Sequence, residues 1–149
     1  MIYRDLLMRF ESLAIPYLAD TPRSTDSRTD WVGIQEPENI VLWDSMAEAS
    51  RKQFLASGEL VLVADAEHWN SVSKRHIAMQ GLGHVSKSVK IDEHGGVELH
   101  LPAVLHPAIV VGRLIGCWER AEGRAAKATW SANSDGHRIK IESRRVIAD

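Results

Sequence analysis

AAKATWSANSDGHRIKIESRR, residues 125–145, is the stretch that decides how this chain reads. Two alternating runs, Ala125–Ala132 and His137–Arg145, flank a cluster of turn formers, Asn133-Ser134-Asp135-Gly136. Alternation of period two sends successive side chains to opposite faces of a sheet, and a short polar break between two such runs is a hairpin signal. A four-residue loop pairs Ala132 with His137, Trp130 with Ile139 and Ala128 with Ile141, so the large apolar side chains share one face. On the other face Lys127 meets Glu142, an opposite-charge pair, and Ser131 meets Arg138.

Working outward, Ala108–Trp118 is apolar on both faces and reads as a central strand. Gly112 and Gly116 lie on one side of it and imply close approach by a helix or another backbone. Upstream, Val85–Ile91 and Val97–Leu101 form a second expected hairpin. A three-residue loop, His94-Gly95-Gly96, pairs Glu93 with Val97, Ile91 with Leu99 and Val89 with Leu101. The opposite face then sets Lys90 against His100 and Asp92 against Glu98.

The middle of the chain alternates. Asn39–Trp43 reads as a short strand, followed by a helix that Ser45 and Glu48 open with capping-box spacing and Gly58 closes. Glu59–Ala64 (ELVLVA) reads as a second buried strand. Asp65 is placed to cap a further helix reaching Met79, with Trp69, Val72, His76 and Met79 on one face and Gly81 at its end. At the N-terminus Ile2, Leu6, Phe10 and Leu13 recur at helical spacing until Pro16. Thr21–Asp30 has no apolar residue except Pro22 and reads as a mobile loop. The expected architecture is a single α+β domain over residues 1–149: an N-terminal helix, a strand–helix–strand–helix middle, and a mainly antiparallel C-terminal sheet of about five strands.

Composition narrows the function classes. Hydrophobic content of 44% and charged content of 26% are those of an ordinary globular chain, and the longest apolar run is too short to span a bilayer. One cysteine, Cys117, cannot form an internal disulfide, so a reducing cytoplasm is expected and its apolar surroundings predict an inert thiol. The net charge of −2 is unevenly placed: residues 1–112 carry 10 Lys/Arg against 15 Asp/Glu, and residues 113–149 carry 8 against 5. The basic C-terminal part makes nucleic-acid contact through a sheet face one alternative reading.

No residue set converges on a chemistry by spacing alone. The seven histidines, His68, His76, His84, His94, His100, His106 and His137, show no HxH, HxxxH or HExxH pattern, and no CxxC exists, so no metal and no cofactor are expected. Asp92 facing Glu98 reads as part of a solvated hairpin face with Lys90 and His100 beside it. Five tryptophans against two Tyr and two Phe is an unusual balance. Trp43, Trp118 and Trp130 belong to the core by pattern, whereas Trp31 follows the polar loop and Trp69 opens a helix; these two are the expected partner contacts.

Asp44-Ser45-Met46, then Gly58-Glu59-Leu60-Val61-Leu62-Val63, Lys87, Val97-Glu98-Leu99, and His106-Pro107-Ala108-Ile109 running into Val111–Trp118 come in an order that resembles the LexA/UmuD family of self-cleaving serine–lysine peptidases. The resemblance covers residues 44–118. It implies Ser45 as nucleophile and Lys87 as a neutral, desolvated general base. Ser45 as an ordinary helix N-cap explains the same residues with fewer assumptions. The expected function is therefore a non-catalytic cytoplasmic binding or regulatory protein acting through a protein–protein surface, with the peptidase or an inactive relative as the alternative.

Overall fold

The computed structural model describes residues 27–33 and 37–145. Among them run β1 (Thr29–Val32), α1 (Pro37–Ser57), α2 (His68–His76), a 3-10 turn (Ala78–Gln80), β2 (Lys87–Lys90), β3 (Val97–Leu101), α3 (Pro107–Glu122), β4 (Ala126–Asn133) and β5 (Gly136–Ser143). The helix expected at Ile2–Ile15 and the first part of the loop expected at 21–30 lie outside the described residues. The end of that loop differs from expectation. Thr29 and Asp30 open β1, and Arg28 joins an ion-pair network.

The class is α+β. Five strands form one sheet in the order β1-β4-β5-β3-β2, with β1 parallel to β4 and the other neighbours antiparallel. In the β4–β5 hairpin Trp130 faces Ile139, Ala128 faces Ile141 and Lys127 faces Glu142, as the side-chain pattern requires. Asn133 also pairs with Gly136, and its Oδ1 accepts from the Asp135 N–H at 2.8 Å, which leaves Ser134 and Asp135 at the tip.

The β2–β3 hairpin has another register from the expected one. Lys90 pairs with Val97, Val89 with Glu98 and Ser88 with Leu99. Asp92 is the reason: its Oδ1 accepts from the His94 and Gly96 N–H groups, both at 2.8 Å, while the Ile91 N–H donates to the Gly96 carbonyl. That carboxylate organises the six residues 91–96 into the connection and leaves Ile91 38% exposed. On the inner side of the edge strand, the Ser88 hydroxyl donates to the Ala66 carbonyl at 2.8 Å.

Two expected strands are helical. Ala108–Trp118 lies inside α3, which starts with Pro107 in its first turn and stops at Gly123, held at φ 71°. Every residue from Ala108 to Glu119 is buried, so its apolar residues run all round the helix and imitate a strand that is buried on both faces. Asn39–Trp43 lies inside α1. There Ile40, Trp43, Ala47, Ser50 and Phe54 recur three and four residues apart and face the core. Ser45 is thus mid-helix, not a cap, and its hydroxyl donates to the Val41 carbonyl at 3.1 Å. Gly58 does end the helix, at φ 73°. The segment Glu59–Ala64 pairs with no strand among the described residues, and α2 starts only at His68, leaving Met79 exposed.

The layers follow from burial. Val97, Leu99, Leu101, Ala126, Ala128, Trp130, Ile139 and Ile141 form the inner face of the sheet, which α3 covers. α1 lies against α3 at the two glycines: a Cβ on Gly112 would collide with the Ala47 backbone, and one on Gly116 would reach 3.0 Å from the Phe54 ring. Gly112→Ala is therefore expected to destabilise by about 1–3 kcal/mol through overpacking, outweighing a helix-propensity gain of about 1 kcal/mol. Urea unfolding of the variant checks the sign.

Candidate functional site

Ser45 and Lys87, the pair the peptidase resemblance requires, occupy unrelated environments. Ser45 is committed to the Val41 carbonyl within α1, while Lys87 is exposed on the edge strand β2. No hydrogen bond joins them among the described residues.

The two tryptophans expected at a partner surface are buried. Trp31 is 7% exposed, and its indole N–H donates to the Asp44 carboxylate. It packs edge-on against Trp43, with ring centroids 5.2 Å apart, and lies 5.9 Å from Trp130. β1 brings it there by pairing Trp31 directly with Trp130. Trp69 is 2% exposed and lies under the segment that precedes α2. The signal behind both expectations was position in sequence, and tertiary packing overrides it.

The outer face of the sheet carries three of the eight Lys and Arg residues of 113–149, Lys127, Arg138 and Lys140, interleaved with acids. Glu98 sits 3.1 Å from His100 and 3.6 Å from Arg138, and Glu142 sits 3.7 Å from Lys127 and 3.9 Å from Lys140. This is a mixed-charge solvated face.

What the sequence reading missed is the segment between α1 and α2. From Glu59 to Val63 the chain runs without turn, bend or helix, and its side chains alternate outward and inward. Val61 is buried and Val63 half-buried, while Leu60 is 79% and Leu62 84% exposed, the two most exposed large apolar side chains among the described residues. Two-residue alternation is the side-chain pattern of a strand, although the segment is not among the described strands. Its partner is missing: among the described residues the backbone groups of Leu60, Val61, Leu62 and Val63 make no hydrogen bond, although Glu59 N–H reaches the Ser57 hydroxyl and Ala64 N–H reaches His68 Nδ1. High β-propensity was legible here; exposure was not.

Two cavities flank this segment. The larger, of about 520 Å³, lies between Val63–Ala66, the 90–97 connection and the end of α3. Its charges are satisfied internally: Lys90 pairs with Glu93 at 2.8 Å, and the Arg124 guanidinium donates to the His94 carbonyl. The smaller, of about 430 Å³, is bounded by Glu59, the flank of α2 and the 3-10 turn. Among the described residues no three His, Cys, Asp or Glu side chains converge as a metal ion would need.

Burial holds His76 below its ordinary value of 6.5; Glu59 opposes this, while Arg113 and Arg75 add to it. Burial likewise lowers His137. A histidine whose folded value is depressed is neutral in both states well above 6.5, and below it the unfolded chain takes up protons that the folded chain does not. Stability is therefore expected to fall as pH drops from about 7.5 to about 5.5, and His76→Asn should flatten part of that slope. Urea midpoints across this interval measure it. Ser45→Ala, by contrast, should shift stability by less than about 0.5 kcal/mol, because it removes only a hydroxyl that bonds back onto its own helix.

Comparison of the chain with models of protein families, with curated proteins and with solved structures finds no match in any of the three.

Proposed function

We propose that this is a non-catalytic, cytoplasmic binding or regulatory protein that recognises an extended segment of a partner protein by adding it as a strand alongside Leu60–Val63. The observation that carries the reading is the combination, among the described residues, of unbonded backbone groups at Leu60–Val63 with outward Leu60 and Leu62. Extended backbone with free N–H and C=O groups is a template for another strand, and soluble proteins ordinarily blunt such edges with charge, proline or cover. The run Leu60-Val61-Leu62-Val63 has neither charge nor proline, and among the described residues Leu60 and Leu62 lie uncovered. Main-chain hydrogen bonds would supply affinity, and the two leucines would select apolar residues at alternate positions of the incoming strand. Cytoplasmic residence is supported by the lone Cys117, buried in α3, where burial pushes the thiol up to about 12 and keeps it unreactive.

Peptides selected from a displayed random library against the immobilised protein test this. They should share apolar residues at alternate positions, and their binding should slow hydrogen exchange at the amides of Leu60–Val63. The double variant Leu60→Lys/Leu62→Lys should bind them about tenfold more weakly or worse, while its folding stability changes by no more than about 0.5 kcal/mol. Selected peptides that leave exchange at those amides unchanged would overturn the reading.

A further inference from the structure

We propose that the cavity between Glu59 and the exposed flank of α2 is an oxyanion site that takes the phosphate group of a small molecule. Five of its seven lining residues carry hydrogen-bond donors, Ser71, Lys74, Arg75, His76 and Gln80, opposed by one carboxylate, Glu59. With Arg113 near His76 and Glu59, the local balance is three fixed positive charges against one negative.

The Glu59 carboxylate is held loosely. One oxygen lies 3.5 Å from Arg75 Nη2 and 3.8 Å from His76 Nδ1, both beyond hydrogen-bond range. It is a single charge in a space that offers donors from several directions. A phosphate dianion, with three acceptor oxygens, matches that number of donors better than one carboxylate does.

His76 gives a second, independent indication. The residue is 3% exposed, yet its ring makes no hydrogen bond among the described residues, and it lines the cavity. Neither ring nitrogen is among the buried unpartnered atoms of the described residues, so the imidazole meets the solvent of the cavity, where an acceptor or donor from outside can reach it. The carbonyl end of α2, which would repel an anion, is capped. The His76 carbonyl accepts from Arg113 Nε at 2.8 Å, and the Ser73 carbonyl accepts from Ile77 N–H at 2.8 Å. Met79, 73% exposed at the rim, offers apolar contact to whatever carries the phosphate. None of this requires a peptide at Leu60–Val63.

The test is titration of the full chain with sodium phosphate and with phenyl phosphate, followed by amide and histidine-ring NMR, with sodium chloride at matched ionic strength as the reference. Saturable shifts are expected at Ser71, Lys74, Arg75, His76 and Gln80, together with a rise in the titration midpoint of the His76 ring, which faces Glu59, Arg75 and Arg113. Lys74→Ala/Arg75→Ala, at two exposed side chains, should weaken binding about tenfold or more. Glu59→Gln, which removes the competing carboxylate, should tighten it by up to about tenfold. Tighter binding of phenyl phosphate assigns the site to a phosphate monoester; equal binding assigns it to free phosphate. Shifts that chloride reproduces, unchanged affinity in the Lys74/Arg75 variant, or weaker binding by Glu59→Gln would each overturn the proposal.

Discussion

A helix buried on every side has no solvent-facing stripe on which to place bulk or charge, and α3 is such a helix. Two devices let it exist. Gly112 and Gly116 remove the side chains where α1 crosses, so the Ala47 backbone and the Phe54 ring close directly on the α3 backbone. Its two buried charges are matched from other elements. Arg113 donates to the His76 carbonyl and lies over the Phe54 ring. Glu119 accepts from Arg28 before β1, from Arg51 in α1 and from the Ala126 N–H at the start of β4. An unpaired charge in that position would cost several kcal/mol, so Glu119 ties four parts of the chain to one point.

The candidate sites are consequences of that arrangement. α3 covers β4 and β5 on the inner face of the sheet, α2 reaches β2, and α1 lies against α3 and packs Trp43 onto Trp31 and Trp130. The link from α1 to α2 then crosses the outside of the molecule. Val61 anchors it in the core while Leu60 and Leu62 point away. The same link carries Glu59 to the flank of α2, where Lys74, Arg75 and His76 gather. A strand-forming sequence that pairs with no strand among the described residues and a donor-rich cavity thus lie at adjacent positions of one segment.

How legible each part was depended on whether the deciding interaction was local. The β4–β5 hairpin was readable in full, because alternation, a short polar turn and the Lys127–Glu142 match all act between near neighbours. The β2–β3 register was not, because Asp92 organises its connection through backbone N–H groups rather than through apolar pairing. Ser45 and Glu48 imitated a capping box inside a helix that begins at Pro37, although the stripe from Ile40 to Phe54 ran through them. Pro107, Gly123 and an eleven-residue apolar run were the available signals that Ala108–Trp118 is a helix; length favours that reading, since strands seldom run so far.

The sequence by itself determined the α+β class, the last hairpin with its register, and the close approach at Gly112 and Gly116; it did not determine Glu59–Ala64, which reads as a buried strand but is none among the described residues. Tertiary structure alone decided which apolar residues end up inside. Trp31 and Trp69 were drawn into the core by β1 pairing and by the link before α2, while Leu60 and Leu62 were left out. The physical reason is that conformation is set by local sterics and alternation, whereas burial is set by whether a complementary face arrives from elsewhere in the chain.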